Sequence, residues 1–152
     1  MLKISPETIK EIAEQLDTGM KVFYHLPTGE LASYPDGLKW GGEIDEEAWG
    51  DDMAKLDENF HEYVAFTAME SHESFGVMED FIETIAEKDV KEKFENIIQR
   101  KKPFQQFKYL LFDYPLLREQ WFLYKDERYR EYVLEQIDDY NKSEKFKSDE
   151  KE

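Results

Sequence analysis

Eight cations fall within residues 100 to 130, at Arg100, Lys101, Lys102, Lys108, Arg118, Lys125, Arg128 and Arg130, opposed only by Asp113, Glu119, Asp126 and Glu127. This stretch carries +4 in a chain of formal charge −16, so the remainder carries −20. Phe, Tyr and Trp are interleaved among these charges. Cations tracking phosphates beside rings that stack on bases are how proteins hold single-stranded nucleic acid. Arg100, Lys101, Lys102, Lys108, Arg128 and Arg130 are therefore the candidate binding residues. The competing reading puts the rings in a core. Phe104, Phe107, Leu110 and Leu111 recur at the spacing of one helix face, which would bury them away from any base, and Trp121 is expected inside as well. What then remains exposed is a charged corner, Arg100, Lys101 and Lys102, where cations complement the end of one helix and Pro103 begins the next.

Other chemistry has little support in residue type or spacing. The histidines stand apart at positions 25, 61 and 72, and none forms H-E-x-x-H. His72 with Glu73 and Glu79 could bring an imidazole and carboxylates to one helix face, but a solvated helix start accounts for the same residues, and no metal site is assigned. Residues 43 to 58 hold eight acids against Lys55, yet they lack the alternating Asp/Asn and closing Glu of a calcium loop. Gly41-Gly42 and Gly50 are not spaced to cradle a phosphate, no G-x-S-x-G elbow is present, and no cofactor is implied. Zero cysteines exclude disulfides, thiolate zinc sites and cysteine nucleophiles, and they fit a cytoplasmic protein.

The elements that would position these groups are legible from period and punctuation. Ser5-Pro6-Glu7 is a helix start, with Ile9, Ile12, Ala13 and Leu16 on one face and Gly19 at the stop. Residues 21 to 34 form two β-prone runs around Pro27-Thr28-Gly29, which predicts a hairpin. An acidic loop over about 35–60 follows, with one short helix expected around Met53 and Leu56. Residues 61 to 69 alternate, with Val64, Phe66 and Ala68 on one side, as a third strand joining the hairpin would. The chain then turns helical. Ser71 is expected to cap a helix carrying Phe75, Met78, Phe81, Ile82 and Ile85, and Asp89-Val-Lys-Glu92 resembles a capping box ahead of Phe94, Ile97 and Ile98. Pro103 begins another helix, and Pro115 a longer one with Leu117, Trp121, Tyr124, Tyr132, Val133 and Ile137.

This predicts an α+β fold: a small antiparallel sheet packed with an N-terminal helix and a C-terminal bundle of about four helices. With 152 residues, the expectation is a single domain over 1–140 and a charged, disordered tail over 141–152. At 40% hydrophobic and 37% charged residues, the chain is too apolar for disorder and too charged for a membrane protein. No apolar run approaches the ~18 residues of a span, and MLKISPETIK does not read as a signal peptide. The acidic excess repels nucleic acid and anionic lipid at long range.

Several ordered motifs together resemble Uncharacterised Protein Family 0158, a set of small bacterial proteins. They are Phe75-Gly-Val-Met-Glu-Asp-Phe-Ile-Glu-Thr-Ile, Phe104-Gln-Gln-Phe-Lys, Tyr114-Pro-Leu-Leu-Arg-Glu-Gln-Trp-Phe and Tyr124-Lys-Asp-Glu-Arg, with Thr28-Gly29-Glu30 at the hairpin turn. The likeness covers most of residues 10 to 135. It implies no catalytic residues, because the family has no assigned activity. Where similar proteins tend to carry a glycine and a small residue before the first Phe, and arginines between the two, this chain has Lys102-Pro103 and Gln105-Gln106.

The functional expectation is accordingly a non-catalytic interaction or regulatory module with a protein partner. Nucleic-acid binding through the candidate cations is the alternative. An enzyme whose Asp, Glu, His or Tyr converge in a cleft invisible to sequence is a third reading.

Overall fold

The computed structural model describes residues 2–35, 54, 56 and 58–150, with side-chain surroundings given as far as Lys145. Most of the expected acidic loop, and the short helix around Met53, lie outside the described residues. The described chain is α+β, as its patterning predicts. In order it forms helix α1 (Pro6–Asp17), strands β1 (Met20–His25), β2 (Leu31–Pro35) and β3 (Tyr63–Phe66), then helices α2 (Ser71–Glu83), α3 (Lys88–Ile97), α4 (Pro103–Leu111) and α5 (Pro115–Glu150). It divides into two compact units, Met1–Ala68 with Tyr129–Glu152, and Met69–Arg128.

The first unit holds the sheet. The Ser5 side chain accepts a 3.2 Å hydrogen bond from the Thr8 amide, satisfying one of the orphan donors at the start of α1. Ile9, Ile12, Ala13 and Leu16 are buried, as their spacing requires. Strand order is β2-β1-β3, antiparallel throughout, so the third strand joins the hairpin alongside β1. Val22 pairs with Phe66 and Tyr24 with Val64, which places Val22, Val64 and Phe66 on the buried face. On the other face Phe23 stacks on Tyr34 with ring centroids 5.5 Å apart. Gly29 takes φ 75°, the positive value that the hairpin loop needs. The α5 residues belonging to this unit bury Tyr129, Val133 and Ile137. Two amides of α5 each hold both main-chain polar atoms of one residue. Gln136 accepts from the Thr67 N–H and donates to its C=O, both at 3.1 Å. Asn141 accepts from the Leu2 N–H at 2.7 Å and donates to its C=O at 3.1 Å. The helical backbone of α5 runs to Glu150, through most of the segment expected to be a charged tail.

The second unit is the expected bundle, built from α2, α3, α4 and the part of α5 up to Arg128. Its centre is aromatic. Phe107 lies 4.9 Å from Trp121, 5.5 Å from Phe94 and 6.3 Å from Phe81, all in edge-to-face contacts. Met78, Ile82 and Leu111 are buried in the same unit. Two helix starts shift by a residue or two from expectation. Ser71 is the first helical residue rather than the cap, and the Glu73 carboxylate accepts from the Glu70 amide at 3.2 Å. Glu87 caps α3, and Asp89 sits inside its first turn where a carboxylate meets the helix dipole. Lys102 precedes α4 at φ 55°, ψ 58°, a left-handed conformation that side chains adopt at a cost.

Candidate interaction surface

Both α4 and the start of α5 turn one face inward, and their outward faces decide what the second unit offers. On α4, Phe107 and Leu111 are buried, so Phe104, Lys108 and Phe112, spaced i, i+4 and i+8, share an outward-leaning face. Phe104 is 38% exposed and Phe112, which caps the helix, 62% exposed. This corrects the expectation that the ring of Phe104 is buried with Phe107: it keeps an edge contact with Phe75, at 6.3 Å, but stays partly in solvent. The reason is angular. Position 104 lies at the margin of the stripe whose centre is held by Phe107 and Leu111.

On α5, Trp121 points inward and Arg118, Phe122 and Lys125 turn outward together. The Arg118 guanidinium lies 4.9 Å from the Phe112 ring and 5.0 Å from the Phe122 ring, and Lys125 lies 5.6 Å from Phe122. Cation and ring therefore alternate along one surface: Phe104, Lys108, Phe112, Arg118, Phe122, Lys125. Arg118 has no carboxylate partner among the described residues. Its planar fork is held by two ring faces while its N–H edge stays available, which suits a carboxylate or a phosphate.

The six sequence candidates are distributed over both units. Arg100, Lys101, Lys102 and Lys108 are exposed in the second unit, around the start of α4. Arg128 is turned elsewhere. It donates to Asp80 at 2.9 Å and to the Tyr124 hydroxyl at 3.0 Å, and the Asp80 bond holds the guanidinium pKa above its ordinary value. Arg130 is exposed but belongs to the first unit. Phe112, Arg118, Phe122 and Lys125, absent from that set, carry the alternation instead. The signal for them was present as i+4 spacing across a helix junction, but it needed the turn at Asp113 and Tyr114 to bring Arg118 over Phe112.

Imidazoles and carboxylates meet in two other places. In the first unit His25 Nδ1 lies 2.7 Å from the Thr28 hydroxyl and Nε2 lies 3.4 Å from Glu62, with the Tyr63 ring at 4.7 Å. The Thr28 hydroxyl also accepts from the Glu30 amide at 3.3 Å, so the group locks the hairpin loop to the turn ahead of β3. In the second unit Glu70, His72 and Glu73 bring ligand atoms within 4.8 Å of one another at the exposed start of α2. Glu79, expected near them, is not in that cluster. A cavity of about 720 Å³ in the first unit is lined by Tyr24, Tyr140, Lys3 and Lys145 among others, and one of about 530 Å³ in the second by Tyr114 and its neighbours. Neither has a histidine in its walls. Among the described residues no helix is long and apolar enough to cross a membrane.

The fold and surface define a small, acidic α+β protein whose helical unit exposes cation-flanked aromatic rings. The model of uncharacterised protein family UPF0158 matches residues 43–151, and the chain belongs to that family. It is 31% identical over 133 residues to UPF0158 protein PA5073 of Pseudomonas aeruginosa, covering 86% of this chain and 80% of that protein. No solved structure matches it. The hairpin lies ahead of the matched span, whereas α2 to α5, which carry most of the recognisable motifs, lie within it.

Proposed function

We propose that this protein is a non-catalytic interaction module that binds an acidic segment of a partner protein through the cation–aromatic face of α4 and α5. The observation that carries this reading is Arg118 held between two exposed phenylalanine rings without a carboxylate partner among the described residues. Exposed rings beside cations supply what interface cores use most, aromatic area and Arg. A cytoplasmic setting suits a chain without cysteine.

Affinity capture with the wild-type protein and with a Phe112→Ala, Arg118→Glu double variant tests it. A stoichiometric acidic protein should be retained by the first and lost by the second, with unchanged circular dichroism. Equal retention by both would sink the proposal, as would turnover of a substrate unaffected by the variant.

The alternation of cation and ring also favours a second reading, single-stranded nucleic acid, with the exposed Lys101, Lys102 and Lys108 as phosphate contacts. Its mark is oligonucleotide affinity that falls steeply with salt and weakens in Lys101→Glu, Lys102→Glu. No binding at low salt would end it.

A further inference from the structure

The opposite flank of α5 has a different character. Leu116, Gln120 and Leu123 recur at i, i+4 and i+7, which puts them on one side of the helix, about two fifths of a turn from Arg118 and Phe122. Leu116 is 75% exposed and Leu123 71%. The inward face is already occupied by Trp121, so these leucines add nothing to the unit's own core. At its N-terminal end this flank opens into the cavity of about 530 Å³, walled by Ile85, Val90, Tyr114 and Leu117. That volume lies within the range of pockets that enclose a whole ligand or an anchoring side chain.

The charges around it are of one sign on the helix. Glu119, Asp126 and Glu127 stand beside the leucines, while Arg118 and Lys125 turn to the other flank. Glu87 and Asp113 line the cavity. None of these five carboxylates has an ion-pair partner among the described residues. At the cavity wall Lys93 donates to the Tyr114 hydroxyl at 3.4 Å.

We infer that this flank is a groove for a basic amphipathic helix of another protein. Its apolar residues cover Leu116 and Leu123 and seat one side chain in the cavity, and its Lys and Arg meet the surrounding carboxylates. An apolar strip with an anchoring pocket is the geometry of helix-in-groove recognition. Covering the two leucines removes apolar surface from water, which is the favourable term in such association. The carboxylate rim steers a cationic partner and repels nucleic acid and anionic lipid, so charge selects a basic peptide over either. The inference is independent of the function proposed above, because the two flanks share no residue.

The test is fluorescence anisotropy of a labelled Lys/Leu amphipathic peptide of about five helical turns, titrated with the full chain. A counterpart carrying Glu in place of Lys is the control. Saturable one-to-one binding is expected for the basic peptide and none for the acidic one. Leu116→Ser with Leu123→Ser should weaken binding at least roughly tenfold, whereas Phe112→Ser with Phe122→Ser should leave it unchanged. All four residues are exposed, so circular dichroism should report an intact fold in every case. Affinity should persist at high salt, because apolar burial is not screened as charge attraction is. Equal binding by the leucine variant would reduce the effect to general attraction by an acidic chain and overturn the groove. So would absence of binding, equal affinity for the acidic peptide, or self-association in sedimentation that the leucine variant abolishes, which would make a second copy the occupant.

Discussion

Arg128 donates a 2.9 Å hydrogen bond to Asp80, joining α5 to α2 inside the helical unit. A residue that composition assigns to a cationic patch is thereby drawn into holding two helices together. Its side chain retains about a third of its exposure, so solvent screens the pair. A double-mutant cycle with Arg128→Ala and Asp80→Ala should give a coupling of about 0.5–1 kcal/mol. Partner or oligonucleotide binding should be unaffected by Arg128→Ala. A coupling indistinguishable from zero, or a large loss of binding, would contradict this assignment.

The rings of α4 and α5 should separate cleanly into structural and surface members. Phe107 is 2% exposed and touches Phe81, Phe94 and Trp121, so Phe107→Ala should cost about 3–5 kcal/mol by denaturant titration. Trp121→Ala should fall in the same range. Phe112→Ala, at the surface, should stay within about 0.5 kcal/mol. If Phe112→Ala proves as damaging as Phe107→Ala, the ring is part of the core and the interaction face loses its anchor.

Lys102 offers a test of backbone strain. Its φ of 55° lies where a Cβ is penalised, and it directly precedes Pro103, which narrows the choices further. Lys102→Gly should raise stability by about 1 kcal/mol, while Lys102→Ala, which keeps the Cβ, should give no such gain. Equal effects of Gly and Ala would mean that charge, not backbone, governs the position.

At Tyr140 the phenol pKa is raised above its ordinary value of 10.0, by burial first and by the nearby Glu144 charge second. The folded state therefore holds the phenolic proton more tightly than the unfolded chain does. That contribution is complete below the unfolded pKa and is lost as pH rises through the folded one. Chemical denaturation across the alkaline range should show a decline above about pH 10 that is smaller in Tyr140→Phe. Identical alkaline limbs for the two proteins would remove Tyr140 from the account.

Much of the architecture follows from local chemistry alone. Ser5 and Pro6 start α1, Gly29 turns the hairpin, and the 3.6-residue recurrence of apolar side chains marks α2, α4 and α5, because capping, backbone freedom and amphipathic period act over a few residues. The three-stranded sheet and the helical bundle were legible in that patterning. So was the buried pair Phe107 and Trp121. What local pattern could not decide is where a side chain at the edge of an apolar stripe ends up. Phe104 and Phe107 differ by three residues and have the same chemistry, yet one fills the core and the other leans outward, because only one position is covered by neighbouring helices. Nor does charge counting foretell that Arg128 meets Asp80 or that Arg118 crosses a turn to lie on Phe112. The amino-acid order by itself determined the elements and their inner faces. The pairing of residues distant along the chain, such as Arg128 with Asp80, and with it which flanks of α5 are left uncovered, was decided only by tertiary packing, since such contacts depend on helix placement that no local period encodes.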